Sequence, residues 1–187
     1  VGKSLIEIAK AVIQTEADSV LLLKDRIDQK FDEICNLIRF CKGKVILVGM
    51  GKSGHIAKKI ASTLASTGTP SFYLHPGEAG HGDLGMINSN DVVIMISYSG
   101  ESDEIISLLP GIKRIYTPII SMTGNINSTL AMSSEFHLDV SVNKEACPNN
   151  LAPTSSTTAA LVMGDAIAVS LMSVNNFTSE DFAMSHP

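Results

Sequence analysis

The sequence predicts an α/β fold, a doubly wound parallel sheet of five strands preceded by two helices. Three observations lead there. Five short strand-like runs, apolar or aromatic in large part, recur along the 187 residues and alternate with stretches of helical spacing. One of them, Val45-Ile46-Leu47-Val48, ends in a glycine turn and passes straight into a helical pattern. Another, Asp91-Val92-Val93-Ile94-Met95-Ile96, is apolar without alternation, as a strand covered on both faces must be.

The elements follow in order. Ser4–Leu23 and Ile27–Phe40 carry apolar residues three and four apart, Leu5, Ile8, Ala9, Val12 and Ile13 in the first and Phe31, Ile34, Cys35 and Ile38 in the second. Both read as amphipathic helices. After the strand at Val45, Gly49–Gly54 makes a turn and Ile56–Leu64 resumes helical spacing; Ser71–Leu74 is a short strand. The strand ending at Ile96 gives way to a loop at Ser97–Gly100 and a helix from Glu101 to about Ile112. Pro118–Met122 reads as a strand, Asn127–Met132 as a short helix, Phe136–Val140 as a fifth strand and Ala159–Val174 as a buried helix. Strands alternating with helices imply parallel pairing through right-handed crossovers. The order is expected to be flavodoxin-like, with ligands outside the carboxyl ends of the strands.

With 44% hydrophobic and 18% charged residues, the chain suffices for one compact domain over residues 1–187. A net charge of −5 argues against a nucleic-acid partner, which needs clustered Lys and Arg, yet leaves room for one small anion held by backbone N–H groups. Cys35, Cys41 and Cys147 are odd in number and lack CxxC spacing, which suits free thiols in a reducing compartment. The opening stretch Ser4–Ile13 contains Glu7 and Lys10 at helical spacing and does not read as a signal peptide. Gly164 and Asp165 interrupt the last apolar stretch, so no membrane span is expected. A cytoplasmic location follows as an expectation.

Four segments carry chemistry. Gly49-Met50-Gly51-Lys52-Ser53-Gly54 fits GxGxxG between a strand and a helix, but a dinucleotide fold also needs an acid at the end of the next strand, where Tyr73-Leu74-His75 stands. A P-loop fails as well, because its leading glycine would fall at Ile46. The glycines alone would serve a tight turn; Lys52 in the mouth of a sheet is well placed for an anion or oxyanion. In Ser97-Tyr98-Ser99-Gly100-Glu101-Ser102, the hydroxyls of Ser97, Ser99 and Ser102 precede a helix N-terminus and make a phosphate cradle without basic residues. The same serines would also serve as an ordinary cap. His75–Gly85 places His75, Glu78, His81 and Asp83 in a glycine-dense loop, where histidines hydrogen-bonding a sugar are favoured over a structural metal. Finally, Thr154-Ser155-Ser156-Thr157-Thr158 exceeds what one helix cap requires and is expected to complete the anion site.

Taken together, GMGKSG, HPGEAGHGDLGMI, SYSGESDE, NKEACPNNLAPTSSTTAALVMGDAIA and FAMSHP are similar to the SIS (sugar isomerase) domain, and specifically to the D-arabinose 5-phosphate isomerases. The resemblance runs in order through the whole chain. It implies Lys52, Glu104, Glu145 and His186 as catalytic residues, His75, His81, Gly68 and Thr69 as substrate contacts, and His75 as a point of attack for inhibitory zinc. Gly51 and Ser53 join the substrate contacts as neighbours of Lys52, beside Ser97, Ser99, Ser102, Thr154 and Ser155. Long members of the family continue into a pair of CBS domains, which residues 1–187 do not contain.

The implied reaction interconverts D-ribulose 5-phosphate and D-arabinose 5-phosphate through a cis-enediol, without cofactor, and supplies the precursor of Kdo for lipopolysaccharide. A glutamate with a pKa raised toward neutrality by partial burial would move the proton, Glu104 and Glu145 being the candidates. Lys52 would stabilise the enediolate oxygen, and His186 would serve the ring and carbonyl oxygens. A terminal histidine suits a site shared between subunits, so a homotetramer with sites at subunit contacts is expected. The rival readings are an isomerase of another phosphosugar (heptose, hexulose or amino sugar) and a non-catalytic phosphosugar sensor.

Overall fold

A computed structural model describes residue 2 and residues 4–185 of the chain. Strands β1 (Val45–Gly49), β2 (Ser71–Leu74), β3 (Val92–Ile96), β4 (Ile119–Thr123) and β5 (Phe136–Asp139) form one parallel sheet in the order β2-β1-β3-β4-β5. This is the flavodoxin-like order expected from the alternation of elements. The three inner strands are buried along their whole length, whereas β2 and β5 are half-exposed edges.

Alternation along the strands sends side chains to two separate cores. Val45, Leu47, Ile94, Ile96, Ile120 and Met122 face one layer, made by α2 (Gln29–Arg39), α3 (Gly51–Ser66) and α8 (Ser155–Val174). Ile46, Val48, Val93, Met95 and Ile119 face the other, made by α4 (Pro76–Gly80), α5 (Asp103–Ile106), α6 (Leu109–Ile115) and α7 (Thr129–Met132). At Gly164 any Cβ would overlap Ile60, so glycine is what lets α8 approach α3 closely. Helix α1 (Leu5–Leu21), opened by a Ser4–Glu7 capping box, lies outside α8 and leaves Leu5, Ile6, Ile13 and Leu21 exposed. Its Glu16 accepts a hydrogen bond from Thr158 Oγ1 at 2.7 Å. A last helix, α9 (Ser179–Ser185), follows α8.

Several expectations change. The helix after the serine loop is two helices, because Pro110 has no N–H to continue the ladder from α5 into α6. Helix α3 begins at Gly51 rather than near Ile56: Gly51 takes φ 56°, and the turn becomes the helix's own first turn. The loop His75–Gly85 contains α4 and a 3-10 turn at Asp83–Met86. By length and hydropathy α8 would suffice to cross a membrane, contrary to the expectation, since Asp165 is its single charge and does not break the run. Nine of its residues are instead buried in the layered core.

Candidate active site

The sheet order reverses at β1: the chain leaves β1 for β2 on one side and reaches β3 on the other. Such a switch point opens a crevice at the carboxyl ends of the two strands. Gly49 at the end of β1 is paired with Ile96 at the end of β3, so Met50–Ser53 and Ser97–Ser102 leave from adjacent points. Helix α3 points its N-terminus into this crevice, and no side chain among the described residues caps it, so its first-turn N–H groups and the positive end of its dipole face the crevice. Lys52 is exposed there and takes no part in the salt bridges among the described residues, Arg26–Asp139 and Lys59–Asp165.

The serine loop is held by its own hydrogen bonds. The Ser97 and Ser102 hydroxyls share a hydrogen bond of 3.0 Å, Ser97 Oγ accepts from Gly100 N at 3.2 Å, and Ser99 Oγ accepts from Glu101 N at 3.2 Å. Behind it, Gly100 O accepts from Leu130 N, and Glu101 accepts from Thr129 N at 2.6 Å, a bond that holds its carboxyl below the usual range. Gly100 has φ 69°, and a Cβ there would overlap Ser128 Oγ and stand 2.5 Å from Ser128 Cβ. Gly100→Ala is therefore expected to cost about 2–4 kcal/mol, from left-handed backbone strain plus overpacking, and to lower the thermal midpoint accordingly. A melting curve unchanged from the parent would contradict this. Glu104, in the first turn of α5, is exposed and its carboxylate has no partner among the described residues.

The histidine segment lies next to this helix. His75 caps α4 by accepting Gly77 N on Nδ1 at 3.1 Å, with the Tyr73 ring edge-on at 6.3 Å between centroids. His81 is exposed at the far end of α4, and α4 packs on α5, which carries Glu104. Among the described residues no group of three or more His, Cys, Asp or Glu side chains could hold a metal. His75 thus offers zinc one nitrogen rather than a ligand set.

The hydroxyl run at the start of α8 holds an anion of the chain itself. Glu145 Oε2 accepts from Thr154 N at 2.8 Å, Thr154 Oγ1 at 2.9 Å and Ser156 N at 3.2 Å, so a carboxylate already occupies the positive end of a 20-residue helix. Burial by itself would raise the Glu145 pKa, but the hydrogen bonds from Ser156 and Thr154 outweigh it and hold the carboxyl below its ordinary 4.5. This corrects the expectation of a glutamate raised toward neutrality at this position. Of the remaining hydroxyls, Thr157 bonds to Thr154 O and Thr158 to Glu16, while Ser155 Oγ is buried with no hydrogen-bond partner among the described residues. Ser156 lines a small cavity with Ser53, Tyr98 and Thr157.

A depressed folded-state pKa contributes stability that is fully present above 4.5 and is lost as pH falls through the folded value. Glu145→Ala is expected to cost about 1–2 kcal/mol at pH 7, as the loss of a helix cap does. The variant should lose less stability than the parent as the pH falls below 4.5 and through the parent's depressed folded-state value. Thermal melts across that range check both statements.

The structure therefore gathers Gly51, Lys52, Ser53, Ser97, Ser99, Ser102, Glu104, His75, His81, Glu145, Thr154 and Ser155 along the carboxyl edge of the sheet. Gly68 and Thr69 lie elsewhere: they precede β2 at the amino edge, where Phe177 packs against Gly68. Four strand residues, about 13 Å, separate the two edges. His186 lies outside the described residues. Sequence reasoning misses Tyr98, whose ring joins the serine loop to the Glu145 loop; it stands inside the quoted motif, but nothing in the sequence shows which way its side chain points.

Residues 38–170 match the family model described as SIS domain. Arabinose 5-phosphate isomerase KdsD of Escherichia coli (strain K12) is 56% identical over 186 residues, which covers 100% of this chain and 57% of the relative. The protein of the same name from Pseudomonas aeruginosa is 57% identical over 182 residues, covering 97% of this chain and 56% of its own. The chain thus spans a little over half the length of these curated relatives. A structure from E. coli CFT073, solved in complex with arabinose 5-phosphate, superposes with a TM-score of 0.95 at 44% identity and covers 98% of this chain and 97% of that one. With the family model matched across both halves of the sheet and its switch point, the chain belongs to the SIS domain family.

Proposed function

We propose that this chain is an aldose–ketose isomerase that interconverts D-ribulose 5-phosphate and D-arabinose 5-phosphate through a cis-enediol. The observation that carries the reading is the pairing of Gly49 with Ile96, which brings Lys52 and the serine loop to one crevice with Glu104 directly behind it. The identity to two arabinose 5-phosphate isomerases supports the choice of sugar. The N-terminus of α3 and the serine loop hold the phosphate through N–H and hydroxyl donors, which leaves the reacting carbons free of the anchor. Lys52 faces the carbonyl oxygen and stabilises it as negative charge develops. Glu104, with an unengaged carboxylate, takes the proton from one carbon and returns it to the next. Glu145, pinned by Thr154 and Ser156, is a fixed negative charge that orients its neighbours rather than the mobile base.

The reaction needs no redox cofactor, and no step runs through a metal; zinc acts only as an inhibitor, at His75. The assembly is a homotetramer with sites at subunit contacts, and the exposed apolar residues of α1 are the surface offered to a second copy. The cellular role is the first step toward Kdo for lipopolysaccharide, in the cytoplasm. The test is an NMR assay of chelator-treated protein with D-ribulose 5-phosphate in deuterated water. Arabinose 5-phosphate carrying deuterium at C2 is the expected product; saturable binding without turnover would identify a sensor instead.

A further inference from the structure

We infer that Tyr98 is a positioning residue that ties the serine loop to the loop carrying Glu145, so that a phosphate in the first orders the second. The inference rests on the proposed reading of the serine loop as the phosphate site. Tyr98 stands between Ser97 and Ser99, and its carbonyl accepts from Gly124 N at 2.9 Å. Its ring covers Gly124 so closely that a Cβ there would be 2.5 Å from Tyr98 Cε2, which fixes the ring on the β4 side. At its far end the hydroxyl accepts from Val142 N at 3.1 Å, three residues before Glu145. The same ring is a wall shared by two cavities, one with Ser53, Ser156 and Thr157 and the other with Lys144, Glu145 and Asn150.

The segment it reaches has ties at both ends and this one between. Arg26 donates to Ser141 O at 2.6 Å, and Glu145 and Ala146 are bonded to Thr154 and Asn150. Across Val142–Lys144 the Tyr98 hydroxyl is the one hydrogen bond to the serine loop among the described residues. A ring that served packing alone would need no hydroxyl. Here the hydroxyl converts a change in the serine-loop backbone into a change at Val142, and the Glu145 carboxylate follows.

Hydrogen exchange of the full chain, with and without D-arabinose 5-phosphate or inorganic phosphate, tests this together with kinetics of Tyr98→Phe. In the parent protein the phosphosugar should slow exchange in residues 97–104 and also in 141–150. Tyr98→Phe should keep the first effect and lose the second, with kcat down about five-fold and KM within about two-fold, as expected for one lost hydrogen bond outside the anchor. Protection of 141–150 retained in Tyr98→Phe, protection confined to 97–104 in the parent, or an unchanged kcat would each overturn the coupling while leaving the phosphate site intact. Absence of protection at 97–104 in the parent with either probe would overturn the phosphate site, and the coupling with it.

Discussion

Glu104→Gln lowers turnover by about 10²-fold or more and leaves the thermal midpoint close to that of the parent. The stability half of this expectation follows from the surroundings: the side chain is exposed in the first turn of α5 and no described residue bonds to it. The catalytic half follows from chemistry. An amide of the same shape cannot accept and return a proton, so the step between C1 and C2 loses its shuttle while binding of the phosphate is untouched. KM should therefore change little, and deuterium incorporation at C2 should fall in step with turnover. Glu145→Gln makes the informative contrast. Its oxygen can still accept from Thr154 and Ser156, so orientation is partly kept and the loss in turnover should be about tenfold smaller than that of Glu104→Gln. The reverse ranking, measured by the same NMR assay, would exchange the roles of the two glutamates.

That contrast also marks where the sequence stops being informative. The inner strands are legible because β1 and β3 are buried on both faces and so are apolar without interruption, a pattern that solvent exposure on either face would have broken. Alternation implies the parallel pairing, and the flavodoxin-like order is one of the two common orders compatible with it. Pro110 is visible, but a helix reads through it because the apolar spacing on both sides is in phase. The start of α3 is hidden for a different reason: a glycine at positive φ can close a turn into a helix, and nothing in GMGKSG distinguishes that from a loop.

The site divides in the same way. Serines next to a helix start announce a cradle, since the donors are local in sequence. The partner of the hydroxyl run is not local: Glu145 reaches Thr154 and Ser156, nine and eleven positions on, and only the folded chain shows that the anion these groups hold is the protein's own. For Gly68 and Thr69 the motif gives the residue types but not the edge of the sheet at which they stand, which the fold places at the start of β2.

A mixture of two inactive variants, Lys52→Ala and His186→Ala, is expected to recover about one quarter of the parent's specific activity once subunits have exchanged at random. Helix α8 sets the distances. Its N-terminus holds Glu145 at the carboxyl edge of the sheet, and its 20 residues carry the chain about 30 Å away to the amino edge, where Arg39 bonds to Val174 O and Phe177 packs on Gly68. On the proposed reading of a homotetramer with sites at subunit contacts, a histidine at position 186 serves the site of another subunit. In a random mixture half the sites have an intact Lys52, and half of those receive an intact His186, so about one quarter are whole. Each variant alone should lie about 10²-fold below the parent, which makes the recovery more than tenfold. If both functional residues came from one chain, no mixture would contain a whole site and activity would stay at the level of the variants.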